Sequence, residues 1–201
     1  MKNKRLTPYN KVSMKKNLTT TLWVTGIIWI VFILNKIFFF TDFNQFGIRP
    51  RTVYGLIGII FSPFLHLNWG HLISNTIPLL ILTFVILQFY KKLYVPVSIF
   101  SVIVGGFAVW LFGRSGTDHI GASGVIFAYI GFLLFSGIFR KSAKSIIIAV
   151  IIIILYGGAL LQGIIPGQKG ISWEGHLFGA ATGALAAWIY RKKYKTADKI
   201  N

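Results

Sequence analysis

The chain has 201 residues, 55% hydrophobic and only 12% charged, with a mean hydropathy of +0.70 and a net charge of +17. Soluble domains carry about 25% charged residues, so the composition excludes a disordered chain and argues against a water-soluble enzyme. Cysteine is absent, which removes disulfides, thiolate metal sites and a cysteine nucleophile.

Lys and Arg fall in short clusters between long apolar runs. That is the pattern of a multi-pass membrane protein facing an anionic leaflet, so nucleic acid is not an expected partner. A spanning helix needs about 20 mostly apolar residues. Six stretches are predicted to span: Leu18–Phe40, Trp69–Tyr90, Tyr94–Phe112, Gly121–Phe139, Ile146–Gln162 and Glu174–Tyr190. The first ends on Asn35 and Lys36, where a lysine can snorkel to the headgroups. A long mixed connection, Asp42–Asn68, follows it and contains Arg49-Pro50-Arg51. The turns at Lys91-Lys92 and Arg140–Ser145 are tight and basic, whereas Gly113–Ile120 and Gly163–Trp173 are rich in glycine. The N-terminal apolar stretch is too long for a signal peptide and has no small-residue cleavage site.

Counting cations on alternate soluble segments sets the orientation. The N-terminal tail, the two basic turns and the C-terminal tail hold 16 Lys and Arg; the opposite loops hold four, Arg49, Arg51, Arg114 and Lys169. The positive-inside rule places both termini in the cytoplasm. The expected organisation is a basic cytoplasmic tail over residues 1–17, a six-span domain over 18–190 and a basic cytoplasmic tail over 191–201.

Polar side chains inside spans are costly and point to function. His71 and Asn75 begin the second span and share a helical face by their i,i+4 spacing. Ser123 begins the fourth span and His176 the sixth. All three spans run from outside to inside, so one outer layer receives all four residues. An imidazole can take a serine proton; an asparagine amide can donate to an oxyanion, as can the free N–H groups at a helix start. Gly179 and Gly183, with Ala180 and Ala184 beside them, form a small-residue face after His176, and Gly124 and Ala128 offer the same spacing after Ser123. Such faces let membrane helices approach closely.

At these residues the sequence resembles the rhomboid intramembrane serine proteases. His66-Leu-Asn-Trp-Gly-His71-Leu-Ile-Ser-Asn75 is similar to the family's His-x4-His-x3-Asn motif, and Gly121-Ala122-Ser123-Gly124 to its Gly-x-Ser-Gly motif. Gly175-His176-Leu-Phe-Gly179-Ala-Ala-Thr-Gly183 resembles the Ala-His-x-x-Gly-x-x-x-Gly motif, with Gly175 in place of the usual alanine. Order, spacing and the six-span frame agree across about residues 18–190. The resemblance implies an all-α, six-helix rhomboid-like membrane bundle. It implies Ser123 as nucleophile, His176 as general base, and an oxyanion site from Asn75, His71 and the Ser123 N–H. It also implies a water-filled cavity open to the outer face, with the fifth span or its loop as a gate. Phe127 stands where the family often has a tyrosine stacked on the histidine, and Arg49-Pro50-Arg51 stands where a Trp-Arg pair is familiar.

His66, off the helical face of His71, is read as a structural brace of the long loop; Phe127, Gly121, Gly124, Gly179 and Gly183 are read as supports. A local Asp118–His119–Ser123 arrangement and a metal site from His66, His71 and His176 are both disfavoured. His-x4-His lacks the i,i+4 spacing of a zinc-binding helix. No cofactor or metal is expected. The expected partners are the lipid bilayer and transmembrane protein substrates, in a bacterial plasma membrane. A proteolytically silent rhomboid-like protein that binds membrane clients is the main alternative. A small transporter is the other, but it would want ionisable groups at the membrane midplane.

Overall fold

In a computed structural model of the chain the described residues are 8–37, 42–167 and 170–192, with side chains from residue 13 onward. The predicted end of the first span at Phe40, the cations Lys2, Lys4, Arg5 and Lys169, and the tail beyond Lys192 lie outside them. Six principal helices follow one another: α1 (Pro8–Ile37), α2 (Trp69–Phe89), α3 (Lys91–Phe112), α4 (Ser123–Arg140), α5 (Ala143–Gly163) and α6 (Trp173–Ile189). The described residues contain no strand beyond a single antiparallel bridge, Ile48 to His119. Helices are what a bilayer demands, because each satisfies its backbone internally.

Five helices, α1 to α5, are long and apolar enough to cross a membrane. The sixth has 17 residues, about 26 Å at 1.5 Å per residue. Boundaries agree with expectation to within a few residues except at α1. This helix starts at Pro8, ten residues before the apolar stretch, so Lys15 and Lys16 ride on it. Their long aliphatic stems tolerate a helix that leaves the hydrocarbon layer.

The centre of the bundle is α4. Ala128, Phe132 and Leu133 are fully buried, and Ile130 nearly so. The other helices turn aliphatic side chains outward, such as Leu22, Ile77, Val95 and Ile154. Outward apolar surface on this scale is expected only where lipid covers it.

The tightest seam joins α4 to α6. A Cβ on Gly183 would strike the Ala128 carbonyl, one on Gly179 the Gly124 carbonyl, and one on Gly131 the Ala180 carbonyl. Backbone therefore lies on backbone, in the manner of small-residue packing between membrane helices. The expectation from Gly179, Gly183, Gly124 and Ala128 is met, and Gly131 adds a contact from the opposite helix.

The described part of the connection between α1 and α2 is partly helical. It folds into helical turns at Phe43–Phe46 and Tyr54–Phe64. It is stapled to the loop before α4. Ile48 and His119 exchange backbone hydrogen bonds of 3.0 Å in both directions. Arg49 grips Asp118 with two bonds of 2.5 and 3.0 Å. Arg51 donates to the Leu111 carbonyl at 2.9 Å and to Ser115. The arginine pair thus works as a loop clamp.

Candidate active site

The starts of α2, α4 and α6 converge on a cavity of about 870 Å³, whose lining includes Ser123, His176, His71, Asn75, Phe127 and Tyr156. Local sequence explains each helix start. Asn68 caps α2, its side chain accepting from the His71 N–H at 2.9 Å. Ser172 caps α6, accepting from the Gly175 N–H at 3.2 Å. By contrast, α4 has Ala122 at its cap position and no side-chain cap. Its first N–H groups, those of Ser123 and Gly124 included, are left without a helical partner beside the cavity. The serine is itself the first helical residue, not the cap.

Gly121 makes this entry possible. Its φ is +114°, a conformation that side chains rarely adopt, and a Cβ there would come within 2.5 Å of His71 Nε2. Its N–H donates to the Ser62 carbonyl at 2.8 Å. The loop before Ser123 is thereby pressed against His71. Asn75 is buried and uses one amide hydrogen on the His71 carbonyl, at 2.9 Å. An asparagine amide has two such hydrogens, so the second is left for an acceptor in the cavity.

His176 is held on two sides. Its Nδ1 lies 3.0 Å from the Gly163 carbonyl at the end of α5. A carbonyl can only accept, so Nδ1 carries the proton and Nε2 keeps its lone pair. The ring stacks on Phe127, centroids 4.0 Å apart and planes 7° from parallel. Gly163 fits this sandwich because it has no side chain: a Cβ would lie 2.9 Å from His176 Nδ1 and collide with the Phe127 ring. Ser123 and His176 face the same cavity but are not hydrogen bonded to each other. Such bonds commonly tighten only with substrate in place.

The remaining histidines turn elsewhere. His66 is buried, its ring edge-on to His71 at 5.0 Å, with Nδ1 3.3 Å from the Phe64 carbonyl. Burial, and then the neighbouring His71, push its pKa down to about 4. His119 contacts Ser172 through Nδ1 at 2.6 Å and Thr117 through Nε2 at 3.2 Å. Both ring nitrogens are engaged away from Ser123, and Asp118 is engaged by Arg49. Burial lowers the pKa of His119 as well.

Two positioning contacts are invisible in the motifs. One is the Gly163 carbonyl, at a position read from sequence only as the edge of a glycine-rich loop. The other is Glu174, almost fully buried, which takes the Arg114 guanidinium at 2.5 Å while that side chain also donates to the Ile171 carbonyl at 3.1 Å. This pair ties the loop before α4 to the first turn of α6. An acid two residues before His176 was a usable signal for it.

The family model described as the Rhomboid domain matches residues 53–193. Uncharacterized proteins of Mycobacterium tuberculosis and Mycobacterium bovis are 42% identical over 179 residues, covering 85% of this chain and 74% of theirs. An uncharacterized protein of Mycobacterium leprae is 44% identical over 151 residues, covering 71% of this chain and 59% of its own.

Proposed function

The chain belongs to the rhomboid family of integral membrane proteins, and from that premise we propose that it is an active intramembrane serine protease. It hydrolyses a peptide bond in or near a substrate's transmembrane segment. The observation that carries this reading is the His176 sandwich. A serine protease needs an imidazole whose Nε2 is free to accept the serine proton, and usually a carboxylate orients it. Here the Gly163 carbonyl holds the tautomer and Phe127 holds the plane.

Ser123 Oγ attacks the scissile carbonyl as Nε2 of His176 takes its proton, and the imidazolium then protonates the leaving amine. The oxyanion forms beside the uncapped start of α4, where the Ser123 N–H and the second amide hydrogen of Asn75 are free to donate. His71, pressed against Gly121, contributes its ring. Water hydrolyses the acyl-enzyme with His176 again as base. The cavity supplies that water within a bundle otherwise faced with lipid.

With α6 as the sixth span, both termini lie in the cytoplasm of a bacterial plasma membrane and the cavity opens outward. Residues 1–17 and 191–201 are then cytoplasmic tails, and α5 is the movable wall. Its inner half buries Ser145, Ile148, Ala149 and Ile152, but from Ile153 to Gln162 no residue is fully buried. A segment so weakly anchored opens at low cost.

The test is incubation of the reconstituted chain with a panel of type I membrane proteins, wild type against Ser123→Ala. Cleavage by the wild type alone is the expected result. Retention of clients without cleavage by either form would instead support a silent, client-binding member of the family.

A further inference from the structure

A second cavity lies at the far end of the same helices. α4 carries Ser123 at one end and Arg140 at the other, 17 residues or about 26 Å away. Around Arg140 a pocket of about 180 Å³ is lined by Lys91, Lys92, Lys144, Ser142 and Gln88, among others. Among the described residues no carboxylate lines it. The three carboxylates among the described residues, Asp42, Asp118 and Glu174, all stand at the opposite end, around the Ser123 cavity.

The cations are not loosely splayed. Arg140 is 9% exposed, and its guanidinium sits 5.2 Å from the centre of the Tyr90 ring and donates to the Tyr190 carbonyl at 3.0 Å. Lys144 Nζ is 5.0 Å from the Phe89 ring centre. Aromatic faces help fix the position of these cations. The N-terminus of α5, closed by the reciprocal Ser142–Ser145 capping box, adds its dipole to the same wall. The exposed Phe89 is part of the lining, and exposed Val95 and Ile147 follow the lining residues Lys91 and Lys144 by four and three positions on their helices. The volume is below the ~300 Å³ of ordinary small-molecule sites, yet ample for a compact anionic head.

We propose that this pocket binds the phosphate of an anionic phospholipid, with the headgroup among Lys91, Lys144 and Arg140 and the acyl chains along the flanking apolar surface. Basic clusters beside spanning helices attract anionic lipid by about 1 kcal/mol per cation, roughly fivefold each. This pocket concentrates that attraction on one phosphate. Lys15 and Lys16, exposed on α1, are cations outside it. The proposal does not depend on proteolysis, and its readout is lipid occupancy.

The experiment measures binding to the purified full chain in detergent by native mass spectrometry. The probes are dioctanoyl phosphatidylglycerol, dioctanoyl phosphatidylcholine and inorganic phosphate. Phosphatidylglycerol should bind more tightly than phosphatidylcholine. Lys91→Gln with Lys144→Gln should weaken it roughly 25-fold, while Lys15→Gln with Lys16→Gln leaves it unchanged. Both pairs are exposed, and equal melting temperatures without lipid will show that both variants fold. Inorganic phosphate binding as tightly as phosphatidylglycerol, with the same loss in the pocket variant, would support the site with free phosphate as its source. Equal binding of the two lipids, or equal loss in both double variants, would overturn it and leave only diffuse surface charge.

Discussion

His66 shows how burial of one imidazole links stability to pH. Its Nε2 is buried with no hydrogen-bond partner, and its pKa is pushed down to about 4. The folded protein therefore holds it neutral, while an unfolded chain takes up a proton below about 6.5. With the folded value depressed, stability is intact above pH 6.5 and falls as the pH drops towards 4, by up to about 3 kcal/mol. His66→Phe should flatten this dependence: its melting temperature should fall less than that of the wild type between pH 6.5 and 4. Parallel curves would show that His66 does not titrate in this range. Gly163 gives a second prediction at this scale. Gly163→Ala places a methyl group against Phe127 and His176, and a misplacement of this size costs about 10²-fold in rate. Its neighbour Gly158 has open space around a Cβ, so Gly158→Ala should leave kcat unchanged. Turnover of a cleaved membrane substrate by both variants checks the pair.

At the scale of elements, the seam between α4 and α6 holds the serine and the histidine on a common frame. Gly183→Ala drives a Cβ into the Ala128 carbonyl, and overpacking of this kind costs about 1–3 kcal/mol. Thermal unfolding should show the loss. Gly26→Ala on α1, where nothing lies within 4 Å, should be neutral or slightly stabilising. Equal melting shifts would mean that the seam carries no special load. This seam was legible in the sequence, because Gly179-x-x-x-Gly183 is spacing, and spacing survives in one dimension. Spans were legible for the same reason: apolar length is a local property. The clamp between the two outer loops was not. Arg49 and Asp118 are 69 residues apart, and no periodicity links them. The helical turns between α1 and α2 were missed because their polar and glycine residues read as loop chemistry when their tertiary supports are unseen.

For the whole molecule, the cation count and the fold make one joint statement about sidedness. The Ser123 cavity and the arginine–lysine pocket sit at opposite ends of α2 and α4. If the cations face the cytoplasm, the cavity faces outward. The cysteine-free background makes this measurable. Single substitutions Ser115→Cys and Ala143→Cys fall on exposed residues at the two ends. In intact cells an impermeant thiol reagent should label residue 115 and spare residue 143. The reverse pattern would invert the proposed orientation. The convergence of His71, Asn75, Ser123 and His176 on one layer was readable from topology alone, since three helices running the same way start at one depth. Their distances and partners were not, because these depend on how far each helix slides along its neighbours.

The acceptor for His176 is a main-chain oxygen, and this changes what mutagenesis can see. A carboxylate in that role would vanish on substitution and announce itself in any scan of side chains. The oxygen of Gly163 survives every replacement of its residue. A scan would blame crowding for any defect and overlook the bond. Replacing the following peptide link by an ester weakens the carbonyl as an acceptor while leaving every side chain in place. Semisynthesis, with the C-terminal segment joined after Gly163, is therefore the route by which this contact becomes visible.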